Sequence, residues 1–144
     1  MGHSQILAPV IALVAWTLVM QAWMYATRFP AMRAAGIDLG KLVGTRGVDA
    51  DNVLPRQAQW KAHNYNHLHE QPTLFYAVAL TLALIGQGDS TSAGIAWAYV
   101  GLRVVHSLVQ ATHNRVSIRF VLFTLASLAL LILTIRAAAA LVQG

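Results

Sequence analysis

Tyr99, Arg103, His106, Gln110 and His113 follow one another at intervals of four, three, four and three residues. That spacing puts five polar side chains on one face of an α-helix. Asn66, Glu70 and Thr73 form a similar stripe upstream, and Thr17, Gln21, Tyr25 and Arg28 form a third. Two chemistries are open to such a set. One is a structural ion pair in which Glu70 neutralises Arg103 while Asn66 and His106 complete the hydrogen bonds, because a buried charge needs partners. The other is a cytoplasm-facing site for an anionic ligand. Arg28, Arg103, Arg115 and Arg119 outnumber the single carboxylate Glu70, and a guanidinium fork suits carboxylates.

A metal centre is the rival reading. His63, His67 and Glu70, spaced four and three apart, could present ligands for zinc or iron from one helix face. His69 points elsewhere on such a helix. Two helical histidines are more often interfacial or hydrogen-bonded, and no metal is assigned. The chain has no cysteine, which removes disulfides, protein thiolates and cysteine-ligated metals. Neither a nucleophile triad nor a phosphate loop is present. Gly36, Gly40 and Lys41, followed by Leu42, lack both the spacing and the Ser/Thr of a Walker motif.

The elements that must hold these residues are membrane helices. Of the 144 residues, 57% are apolar and 10% are charged, against the ~25% charge usual in soluble domains. A cytosolic domain of this composition would expose a nearly uncharged surface, and disorder needs lower hydrophobicity. The length allows one domain, residues 1–144. Helices are expected over about 5–28, 57–86, 92–112 and 118–142, giving an all-α integral membrane protein with a four-transmembrane-helix antiparallel bundle. The first is read as a retained spanning helix, since it lacks the basic start of a signal peptide. Pro30, Gly36, Gly40, Gly44, Gly47 and Pro55 mark a long first loop from Phe29 to about Arg56. Arg103 then falls near the membrane middle, about eleven residues into the third helix, where a charge needs a reason.

The net charge of +5 reads as topology. Arg28, Arg33, Lys41, Arg46, Arg56 and Lys61 flank or occupy the first loop, Arg115 and Arg119 the third connection, and the second has none. The positive-inside rule puts loops one and three in the cytoplasm. No basic tract with interleaved aromatics marks a nucleic-acid partner. Trp16, Trp23, Trp60 and Trp97 are expected at interfaces or in packing. Gly94, Ala98 and Gly101 are expected to permit close helix approach.

The segment His63-Asn-Tyr-Asn-His-Leu-His-Glu70-Gln-Pro72-Thr-Leu-Phe75 resembles the signature of the membrane-associated proteins in eicosanoid and glutathione metabolism, the MAPEG family. The stretch from Arg103 and His106 through Arg115 to Arg119 is similar to that family's third helix and the start of its fourth. The likeness covers nearly the whole chain. It implies a homotrimer of four-helix subunits that holds glutathione as co-substrate between neighbours near the cytoplasmic side. By residue matching, Asn66, Glu70, Arg103 and His106 would line or brace that site; Arg28 and Arg115 are added to it from their charge alone. Arg119 matches the arginine that stabilises the glutathione thiolate, which would then attack a lipophilic electrophile arriving from the bilayer.

The chain departs from the pattern in three places. Asn66 precedes Glu70 by four residues where three is usual, and His67 takes the three-residue position. Phe120 and Phe123 follow Arg119 where an isomerase-like member shows Ser and Tyr, and Gln110 replaces a tyrosine. The expected function is therefore a membrane glutathione transferase or peroxidase-like protein. The alternative is a non-catalytic member that binds a lipid or protein partner at the subunit cleft. A bacterial inner membrane is the expected location.

Overall fold

The chain forms five α-helices and two short 3₁₀ turns, with no strand among residues 4–143, the residues described by this computed structural model. Helices α1 (Leu7–Ala34), α4 (Ser90–Thr112) and α5 (Val116–Gln143) are each long and apolar enough to cross a membrane. The shorter α2 (Arg56–His67) and α3 (Gln71–Leu84) follow one another between α1 and α4. α4 packs along α5, α1 lies against α2 and α4, and α3 is held between α1 and α5.

Two boundaries differ from expectation, and both turn on proline. α1 does not stop near residue 28 but runs through Pro30 to Ala34. A proline near a helix end removes a single hydrogen bond, and the helix beyond it survives. Termination falls instead to Gly36, whose φ of +69° is open to glycine without steric cost. The Gly36 N–H donates to the Arg33 carbonyl at 3.1 Å and the Ile37 N–H to that of Met32 at 3.0 Å, which satisfies two orphan carbonyls in a Schellman motif.

The second expected helix, 57–86, is broken into α2 and α3 over residues 68–70. Pro72 stands in the first turn of α3. It has no N–H to offer the Leu68 carbonyl, and its ring would strike that carbonyl if the helix continued. At a helix start neither problem arises. Glu70 opens α3 by accepting from the Thr73 N–H at 3.1 Å and the Thr73 hydroxyl at 2.7 Å.

Within the chain, the helix spacing is set by small residues other than Gly94 and Gly101. Gly94 and Gly101 are exposed, and a Cβ built on either meets nothing within 4 Å. Ala79, Ala96, Ala126 and Ala129 are among the buried small residues, packed with Leu13, Met20, Phe75, Leu82 and Leu133 in one core. Phe75 stacks on Tyr99 with ring centroids 4.4 Å apart. Just past the helix break, Gln71 accepts from the Tyr99 hydroxyl at 3.3 Å and donates to Ser127 at 2.7 Å, tying α3 to α4 and α5.

The end of the bundle remote from loop one is closed by Arg136. Its guanidinium donates to Asp89 Oδ2 at 3.2 Å and, through Nε, to Ser92 at 3.1 Å. Asp89 also caps α4 by accepting from the Ser92 N–H at 2.8 Å. That backbone hydrogen bond, the Ser92 hydroxyl and Arg136 hold the Asp89 carboxyl below the ordinary carboxylate range. A depressed folded-state value stabilises the fold above the ordinary carboxylate pKa and loses that contribution as pH falls through the folded value. The thermal midpoint of the wild type should therefore drop more steeply than that of Asp89→Asn between about pH 5 and pH 2. Parallel curves in circular dichroism melts would refute the linkage.

Candidate functional site

The break between α2 and α3 creates the site. When a helix stops inside an apolar bundle, its last carbonyls lose their partners. Here the His67 carbonyl accepts a hydrogen bond from Arg103 Nη2 at 3.1 Å. Arg103 is fully buried on α4, and it caps the negative end of α2. Its guanidinium carbon also lies 5.9 Å from the centre of the Phe123 ring, within cation–π range.

This arrangement replaces the expected Glu70–Arg103 ion pair, which does not occur among the described residues. Glu70 turns to His67 instead, with Oε2 at 2.6 Å from Nδ1, and its side chain keeps 66% exposure. The cause is local geometry. As the residue before α3, Glu70 lies outside the helical stripe that would aim it at α4. Asn66 and Thr73, its expected neighbours on that stripe, are both exposed.

The α4 face forms as its spacing requires. Tyr99, Arg103, His106 and Gln110 are all buried, and only His113, beyond the end of α4, emerges to contact Thr112. The His106 ring sits 5.0 Å from that of His67, and the His67 ring stacks near Phe123 at 5.7 Å. Several polar atoms here are buried without a hydrogen-bond partner: Nε and Nη1 of Arg103, Nδ1 of His106 and Nε of Arg119. Native interiors rarely leave such groups unpaired, so their clustering points to a polar ligand or water.

Arg119 is brought to the same place by an unusual turn. Asn114 has φ +50° between α4 and α5, a left-handed conformation that asparagine tolerates better than most residues. Its N–H donates to the Val109 carbonyl at 2.7 Å and its Oδ1 accepts from Arg119 Nη1 at 2.7 Å. The turn thus both reverses the chain and orients the guanidinium. Replacement of Asn114 by Gly should keep the turn, while Ala should cost about 1 kcal/mol more, from the left-handed strain of a Cβ. Denaturation in mixed micelles checks this, and an alanine variant as stable as the glycine one would show that the turn relaxes.

His67, His106, Arg119, Val116, Phe120 and Phe123 line an open, shallow cavity of about 250 Å³. Of the residues picked out by sequence, His106 and Arg119 line it, and Arg103 stands beside it through His67. Glu70 reaches it only by its bond to His67. Arg28 lies away from this cavity, with Nη2 at 2.6 Å from the Gly47 carbonyl, and Arg115 and Asn66 are exposed outside its lining.

Sequence reasoning weighed His67 only as a metal ligand and passed over Asn114 altogether. For His67 the signal was present, since it takes the motif position three before Glu70. In place of a metal set, His67 binds Glu70 and His63 sits 3.0 Å from Asp51. No three histidine or acidic groups converge on a metal position among the described residues.

The profile of the MAPEG family matches residues 6–139. No curated protein and no solved structure matched the chain.

Proposed function

Because the chain belongs to the MAPEG family, with helices long and apolar enough to span a membrane, we propose that it is a membrane glutathione transferase or peroxidase-like enzyme. One observation carries this reading: the cavity that joins Arg119 and His106 to a carboxylate-held imidazole, His67. A free thiol has a pKa of ~8.5, and an adjacent cation lowers it. Arg119 supplies that cation at the wall of the cavity. With Glu70 ionised, His67 donates from Nδ1 to Oε2, which leaves Nε2 as a base. The S–H bond of glutathione then breaks, its proton passes to His67 Nε2, and the electron pair remains on sulfur beside Arg119. The apolar rings of Phe120 and Phe123 form the side from which a lipophilic electrophile would approach.

In this reading α2 and α3 together make a discontinuous fourth span. Discontinuous helices are tolerated in membranes where the freed backbone groups find protein partners, and Arg103 provides one. The exposed small face of Gly94, Ala98 and Gly101 is suited to close approach by a second copy, consistent with a homotrimer. Loops one and three face the cytoplasm of a bacterial inner membrane.

The test is ultraviolet difference absorbance of detergent-purified protein titrated with glutathione, against S-methyl glutathione as control. A saturable thiolate band with the free thiol alone is expected. No band from an intact oligomer would reject the enzyme. It would favour the second reading, a non-catalytic lipid-binding member, for which the two phenylalanines at the cavity speak.

A further inference from the structure

A second and larger cavity, of about 470 Å³, lies where the end of α1 meets the first loop. It shares no lining residue with the cavity of His67 and Arg119. One wall is α1, where Tyr25 and Phe29 stack with centroids 5.2 Å apart. The other is the loop, through Leu39, Leu42 and Val53. Its size falls within the range of small-molecule sites, which run from about 300 Å³ to about 1,000 Å³.

Two cations break the apolar lining, Arg28 and Arg46. Neither has a carboxylate within ion-pair distance among the described residues. Arg28 pins the loop by its hydrogen bond to the Gly47 carbonyl. Asp49, the one acid in the lining, is occupied by the Arg46 N–H at 2.7 Å. The exposed Arg46 side chain therefore offers a positive edge to an otherwise apolar hollow.

The loop itself shows which phase it meets. Leu39, Val43, Val48 and Val53 are exposed, Val43 by 91%, beside the basic Arg33, Lys41 and Arg56. Apolar groups presented together with basic ones suit the headgroup boundary of a bilayer, where the acyl region takes the first and anionic lipid the second.

We propose that this cavity is a binding site for an anionic phospholipid of the adjoining leaflet, one acyl chain lying between Phe29 and the loop leucines and the phosphate held by Arg46 and Arg28. The site is independent of the thiol chemistry. It would hold the first loop, whose regular backbone is limited to two 3₁₀ turns, down on the membrane through a ligand.

The test is native mass spectrometry of the full-length, delipidated protein, offered phosphatidylglycerol, phosphatidylcholine or oleate in matched detergent. One retained phosphatidylglycerol per chain is expected, with several-fold preference over phosphatidylcholine. Arg46→Gln should reduce that preference about fivefold, the effect of one basic residue near an anionic surface. Val53→Trp, which fills the cavity from an exposed position, should lower retention of both phospholipids. Equal retention of the two phospholipids would overturn the charge reading, and retention that survives both substitutions would overturn the site. Preferential retention of oleate would overturn the assignment to a phospholipid. Size-exclusion profiles of the variants confirm that each compared protein is intact.

Discussion

Arg119→Ala should abolish the thiolate band of bound glutathione while leaving helix content and oligomeric state unchanged. The argument is electrostatic. A cation that moves a thiol from ~8.5 to ~6.5 raises its thiolate fraction at pH 7 from a few per cent to about three quarters. Loss of the guanidinium should reverse this and lower turnover at pH 7 at least about tenfold. The deficit should shrink as pH rises toward 9, where free thiol ionises unaided. The fold should tolerate the change, because Arg119 is only partly buried and its hydrogen bond is to Asn114, in the turn just before its own helix. A pH–rate profile of the alanine variant that superimposes on the wild type would sink the mechanism.

The second large effect is expected at Arg103. Arg103→Met preserves much of the side-chain volume but removes the charged one of the two donors to the His67 carbonyl, the other being the Glu70 N–H, at the point where α2 ends. The carbonyl keeps the Glu70 N–H at 3.3 Å, so the cost is that of one hydrogen bond to a charged group, about 1.5–3 kcal/mol. Against this stands the relief of burying one charge fewer, which in some proteins makes such a replacement neutral or stabilising. The geometry favours a net loss of about 2 kcal/mol, because the guanidinium caps a helix terminus, where the dipole adds to the hydrogen bond. Mixed-micelle denaturation reads the difference. A variant as stable as the wild type would mean that desolvation of Arg103 already cancels its bond. His67 should also lose its fixed position, so the methionine variant should bind glutathione more weakly even where its fold survives.

Composition and periodicity settle the class of this protein. An apolar content of 57% with 10% charge leaves few ways to fold outside a membrane, and the buried face of Tyr99, Arg103, His106 and Gln110 is legible because helical spacing is a local, repeating property. The MAPEG signature is likewise a matter of residue order. Pro72 was visible too, yet a proline in the first turn of one helix and a proline inside a longer helix differ only in what the preceding carbonyls find as partners. Pro30 and Pro72 make the contrast: α1 passes through the first, whereas the chain breaks just before the second.

The partner of Arg103 could not be read from the chain. Sequence offers Glu70 as the complementary charge, and charge complementarity is all that a one-dimensional reading can weigh. The structure gives Arg103 the carbonyl of His67, thirty-six positions away, and gives Glu70 to His67. Both follow from the helix break, which turns a backbone group into an acceptor that exists only in three dimensions. The same holds for Asn114, an unremarked polar residue until its left-handed turn is seen to orient Arg119. Sequence thus determined which groups the membrane helices carry, because burial and helical period act residue by residue. Tertiary structure decided which groups meet, because hydrogen-bond partners are set by where helices end and cross.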